Sequence, residues 1–133
     1  MPEILGFHHL SLTVTDLARS AQWYQSVLGL DLVAEIEGEG FSRMRLRAPS
    51  SGTTLSLTAH TKRAGESFDE RRPGMDHVAF QVGPSDVDTL KRRFEELGVE
   101  HSEVKATAGG GTMITFRDPD HIQLEIFADP SRT

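Results

Sequence analysis

His9, His77 and Glu125 are the side chains of this sequence whose types and spacing point to chemistry. Two neutral imidazoles and one carboxylate make the donor set of a divalent ion with open coordination positions, where water or a substrate oxygen is polarised. His9 heads a stretch in which Leu10, Leu12 and Val14 alternate with Ser11 and Thr13, the period of a half-buried strand. Alternation places His9 with the hydroxyls, on the face turned from the apolar core. His77 stands in the same relation to Val78, Phe80 and Val82, and shares its face with Ala79 and Gln81. Glu125 shares a face with Gln123 and Phe127, opposite Ile122, Leu124 and Ile126.

The chain repeats itself, and the three candidates occupy repeat-related positions. Gly74–Val82 echoes Gly6–Val14 at an offset of 68 positions, and Leu97-Gly98-Val99-Glu100 echoes Leu28-Gly29-Leu30-Asp31 at 69. The turn Arg117-Asp118-Pro119-Asp120 follows Arg47-Ala48-Pro49-Ser50 at 70, and Leu124-Glu125-Ile126 follows Leu55-Ser56-Leu57 at 69. So little drift means an internal duplication. The first-half equivalent of Glu125 is Ser56, a poor metal ligand, which leaves three ligands and an open site.

The elements that must position these residues follow from the same repeat. Asp16 to Leu28 reads as a helix capped by Asp16, with Leu17, Ala21, Tyr24 and Leu28 on its apolar stripe and Gly29 at its end. Strands are expected over Leu30–Glu37, Phe41–Arg47 and Thr53–His60. Thr61–Gly74 is charged and aperiodic, a connector and a candidate flap over a site. In the second half, Ser85 with Asp88 approximates a capping box for a helix whose stripe is Val87, Leu90, Phe94 and Leu97. Strands Glu100–Lys105, Thr112–Arg117 and Ile122–Phe127 complete the set. The expected class is α+β: two βαβββ modules, residues 1–60 and 75–133 around connector 61–74, form a cupped mixed sheet with helices on its outer face. Each half is too small to close a core alone.

Side chains facing the cup are candidates for substrate contact: Ser56, Thr58, Arg43, Gln81 and Phe127. If Met44 and Leu46 face the helix, Arg43 and Arg45 enter the cup and bind a carboxylate or phosphate; otherwise they solvate an exposed strand end. Arg43 is kept as a candidate and Arg45 is read as solvating. His60 shares the face of Ser56 about 13 Å further along the strand, a rim position and a candidate base. His8 has the parity of Leu10 and reads as packed against the helix or hydrogen-bonded at the strand start. His101 reads as exposed, the role of His121 is open, Trp23 reads as packing, and Gly109-Gly110-Gly111 reads as a flexible turn.

Bulk properties narrow the partners. A chain of 133 residues supports one domain or two modules sharing a core. A net charge of −6 argues against nucleic acid and anionic membranes. The absence of cysteine excludes disulfides and thiolate zinc sites. No apolar run reaches the length of a membrane span and the first residues lack the regions of a signal peptide, so a cytoplasmic setting is expected.

His9–Leu17, Trp23–Leu30, Gly74–Phe80 and Arg117–Phe127 together resemble the vicinal oxygen chelate superfamily, which includes glyoxalase I, bleomycin-resistance proteins and extradiol dioxygenases. The resemblance implies paired βαβββ modules, metal ligands at His9, His77 and Glu125, and Ser56 at the fourth ligand position. Glyoxalase I has a glutamate there and related epimerases a glutamine, so the pattern is closer to extradiol dioxygenases and fosfomycin-modifying thiol transferases. It further implies a divalent ion (iron, manganese, nickel or zinc), a small-molecule substrate and a homodimer. Two functions are in view: a metal-dependent enzyme acting on adjacent substrate oxygens, and a metal-free protein that sequesters an antibiotic or other aromatic ligand.

Overall fold

The structure is a computed structural model describing residues 1–65 and 67–132; position 66, within the expected connector, and position 133 lie outside the described residues. The chain divides into two compact units, Met1–Glu66 and Ser67–Thr133.

The first unit runs β1 (Leu10–Thr13), α1 (Leu17–Leu28), β2 (Asp31–Gly38), β3 (Phe41–Arg47) and β4 (Thr54–His60). Its four-stranded sheet has the order β1-β4-β3-β2, with β1 parallel to β4 and the other pairs antiparallel. Asp16 caps α1 by accepting from the Arg19 backbone N–H at 3.1 Å, and Gly29 ends it in the left-handed region at φ 66°. The buried stripe is Ser20, Ala21, Tyr24 and Val27, so Leu17 and Leu28 sit at its margins. It meets Leu12, Leu46, Leu55 and Leu57, all buried, on one face of the sheet.

The second unit repeats this order: β5 (Val78–Gln81), α2 (Val87–Glu96), β6 (Lys105–Ala106), β7 (Thr112–Arg117) and β8 (Gln123–Ala128). Its sheet order is β5-β8-β7-β6, again with the first strand parallel to the last. The α+β class and the duplicated βαβββ order are those expected. Val87 and Phe94 of α2 are buried with Ile114, Phe116, Leu124 and Ile126, and the Phe94 and Phe116 rings lie 4.6 Å apart.

Three local expectations are corrected. Ser85 caps nothing: Pro84 fixes its φ early and opens a 3₁₀ turn, Pro84–Asp86, closed by the Asp86 N–H on the Gly83 carbonyl at 2.9 Å, so α2 begins only at Val87. Glu100–Lys105 is not a continuous strand. There the Ser102 hydroxyl takes the Thr115 backbone N–H at 3.0 Å in place of a ladder carbonyl, leaving a bridge at His101 and the two-residue β6. Leu97 lies past the last turn of α2 and is exposed.

Candidate functional site

In the second unit, the parallel pairing of β5 with β8 sets Ala79 opposite Glu125, and Thr115 of β7 flanks Glu125 on its other side. Two small neighbours leave the carboxylate room. Alternating burial along β8 turns Leu124 and Ile126 into the core and Gln123, Glu125 and Phe127 to the opposite face, as the parity reading required. His77 stands one residue before β5, and its Nε2 lies 3.5 Å from Glu125 Oε2. The Glu125 side chain is only 14% exposed, so a cation or proton beside it offsets the cost of withdrawing the charge from water.

The other imidazole nitrogen is tied back. His77 Nδ1 meets Asp76 Oδ1 at 2.8 Å, and Asp76 accepts from Gln123 Nε2 at 3.0 Å. Gln123 Oε1 in turn accepts from Arg117 Nη2 at 3.4 Å. Arg117 is gripped in two-pronged fashion by Glu70 of the same unit, at 2.9 and 3.1 Å, and donates to the His121 carbonyl at 3.0 Å. These bonds raise the guanidinium's pKa and hold the Glu70 carboxyl at about 2. Beside Arg117 and Gln123 lies an open pocket of about 290 Å³ lined also by Glu100, His101, Ser102, Thr115 and Phe116.

The first unit contributes a cationic polar face. Cross-strand register sets Arg43 opposite Thr58 and Arg45 opposite Ser56. Arg43 Nε donates to Thr58 Oγ1 at 2.9 Å, Arg45 Nε to Ser56 Oγ at 3.5 Å, and Ser11 Oγ joins Thr58 Oγ1 at 2.9 Å. The Arg43 guanidinium also lies over the Phe41 ring, 4.6 Å from its centre. Ser56 and Thr58 are buried and both arginines half-buried. Arg45 therefore belongs to this face, correcting the reading that it solvates a strand end: Leu46 is fully buried, and adjacent side chains in a strand point oppositely.

Of the expected ligands, the structure brings together His77 and Glu125, both in the second unit. His9 belongs to the first unit, exposed one residue before β1, with its Nδ1 2.8 Å from Nδ1 of His8. Among the described residues no three His, Cys, Asp or Glu side chains form a group able to hold a metal ion. His8 is likewise exposed, so of its two expected roles hydrogen bonding holds and packing on the helix does not. His60 ends β4, exposed, with its ring 6.5 Å from Phe41. Gln81 is exposed and donates to the backbone carbonyls of Val82 and Asp129. His101 is the opposite of exposed: its side chain retains 10% of its surface, against the Phe94 ring at 6.0 Å, because the chain folds back along β7 after α2. His121 adopts φ 63° in the turn before β8, where Asp118 Oδ1 accepts from the Asp120 and Ile122 N–H groups. Asp76, Arg117 and Glu70 were missed from sequence; the adjacency of Asp76 to His77 was the one signal that could have raised one of them.

Residues 6–126 match the family model of the Glyoxalase/Bleomycin resistance protein/Dioxygenase superfamily. The chain belongs to that superfamily. A glyoxylase/bleomycin resistance protein/dioxygenase domain from Frankia sp. EAN1pec superposes with a TM-score of 0.89 at 31% identity, covering 98% of this chain and 96% of that one. Glutathione transferase FosA of Serratia marcescens is 29% identical over 121 residues, 91% of this chain and 79% of the relative. The manganese-dependent 2,3-dihydroxybiphenyl 1,2-dioxygenase of Geobacillus genomosp. 3 is 29% identical over 132 residues, 96% of this chain but 38% of that enzyme. Relatives of this chain thus include enzymes of more than one reaction class, one of them manganese-dependent. No helix among the described residues is long and apolar enough to cross a membrane.

Proposed function

We propose that this protein is a metal-dependent enzyme acting on a small, oxygen-rich, anionic molecule, with a divalent ion held by His9, His77 and Glu125. The observation that carries this is the facing of His77 Nε2 and Glu125 Oε2 at 3.5 Å while His77 Nδ1 is tied to Asp76. A neutral imidazole nitrogen and a carboxylate oxygen both present lone pairs, and a divalent ion between them would be held by both. The donor set therefore fits a divalent ion. The manganese dependence of the Geobacillus dioxygenase supports the same reading, with manganese first among iron, nickel and zinc.

The bound ion would polarise adjacent substrate oxygens and stabilise charge developing on them. This chain's own residues supply the rest. Arg43 and Arg45, bonded to hydroxyls through Nε, would offer their remaining N–H groups to a carboxylate, phosphate or phosphonate. Ser56 and Thr58 fix the guanidinium orientation, Gln81 and Phe127 are further candidate ligand contacts, and His60 is the candidate proton acceptor. As expected for chains of this size in the superfamily, the active species would be a cytoplasmic homodimer.

Elemental analysis of untagged wild-type protein and Glu125→Gln, side by side, tests the reading. Stoichiometric divalent metal in the wild type, lost or weakened in the variant, is the expected result. No stoichiometric metal in the wild type even after reconstitution would overturn it, and undiminished binding of aromatic ligands by that metal-free protein would establish the sequestering function instead.

A further inference from the structure

The hydrogen bonds behind His77 have a direction, and it is set by groups that cannot reverse roles. Arg117 only donates, so the Gln123 amide must present Oε1 to it and Nε2 to the other side. On that side stand the Asp76 backbone carbonyl at 3.2 Å and carboxylate Oδ1 at 3.0 Å, both acceptors only. Asp76 and Glu125 can both receive but not give; Asp76 Oδ1 stands 2.8 Å from Nδ1 while Glu125 Oε2 stands 3.5 Å from Nε2, so in a neutral imidazole the shorter bond takes the hydrogen and Nδ1 carries it. Nε2 is then left with its lone pair, directed at Glu125. The chain begins at Glu70, which holds Arg117 by both oxygens.

We propose that Asp76 and Gln123 are positioning residues that commit His77 to the Nδ1–H tautomer, with Arg117 and the connector residue Glu70 anchoring the relay. Its bearing on catalysis rests on the metal reading above, because the same tautomer is the one in which Nε2 ligates a cation. The connector thereby acts on the site at a distance, through orientation rather than contact. Asp76 is mostly exposed, its side chain retaining 65% of its surface, so without Gln123 water competes for it and the tautomer preference relaxes.

The test uses the metal-free full chain, labelled with ¹⁵N, in mildly alkaline solution where imidazoles are neutral. Two-bond ¹H–¹⁵N correlations report which nitrogen of His77 bears hydrogen, assigned by its loss in His77→Gln. Wild type is expected as the Nδ1–H form. Gln123→Glu, which keeps an acceptor for Arg117 but removes the donor to Asp76, and Asp76→Ala are both expected to shift it toward Nε2–H. Backbone correlations in the same samples verify folding. Manganese affinity, measured calorimetrically, is expected to fall roughly 10- to 100-fold in both variants. An Nε2–H or evenly mixed His77 in wild type, or a tautomer unmoved by both substitutions, would overturn the relay even if metal binds stoichiometrically. A fixed tautomer that both variants disturb, in a protein that binds no metal, would uphold the relay and overturn the metal reading alone.

Discussion

Hydrogen bonding by Arg117 draws the Glu70 carboxyl from its ordinary 4.5 down to about 2. A carboxylate that holds its proton less tightly when folded contributes stability in full above its unfolded pKa, and that contribution drains away as pH falls through the folded value. The stability deficit of Glu70→Gln relative to wild type should therefore be constant above about pH 4.5 and shrink toward pH 2, measured by urea unfolding across that range. A deficit that stays constant throughout would mean the clamp acts by shape and not by charge. Asp69, bonded by Arg71, is held at about 2 as well, so wild type alone does not isolate Glu70 and the difference between the two proteins does. At this scale the sequence was most legible where one strand's alternation sufficed. His77 and Glu125 were assigned faces by their neighbours alone. The relay was not legible, because Glu70 to Arg117 and Asp76 to Gln123 each span 47 positions, and only the β7–β8 register, with Arg117 opposite Gln123, brings the two bonds into one chain.

Both helices were readable as elements, yet their starts obey different physics. Asp16 has extended backbone and a side chain free to turn back onto the Arg19 N–H, the arrangement a cap requires. Ser85 has the right residue type but follows a proline that has already begun a tighter turn, so its hydroxyl has no helix N–H to serve. Asp16→Ala is accordingly expected to cost about 1 kcal/mol in denaturant unfolding, and Ser85→Ala within about 0.5 kcal/mol of nothing. Equal losses would restore Ser85 as a cap. The strand expected at Glu100–Lys105 failed for a related reason: serine side chains compete with the backbone for its own hydrogen bonds, and Ser102 does so at Thr115. Alternation and propensity describe what a segment prefers in isolation. They do not register which polar side chain will interrupt a ladder.

For the molecule as a whole, the repeat offset of 68 to 70 positions carried more than any motif, because two copies of one pattern must fold alike. Both units set their first strand parallel to their last, with identical strand order. The copies have diverged where chemistry differs: β4 offers the hydroxyls of Ser56 and Thr58 to two arginines, while β8 offers Glu125 to His77. The proposed ligand set of His9, His77 and Glu125 has a thermodynamic consequence. An ion bound only by the folded protein stabilises it by about 2.7 kcal/mol at a hundredfold excess over Kd. If all three residues hold the ion, His9→Ala should remove most of that gain as surely as Glu125→Gln, while His8→Ala, altering the neighbour against which His9 rests, should retain it. Thermal unfolding with and without manganese reads the gain in each variant. Full stabilisation of His9→Ala would confine the ion to the second unit, with His77 and Glu125 as its protein ligands and a correspondingly more open coordination sphere.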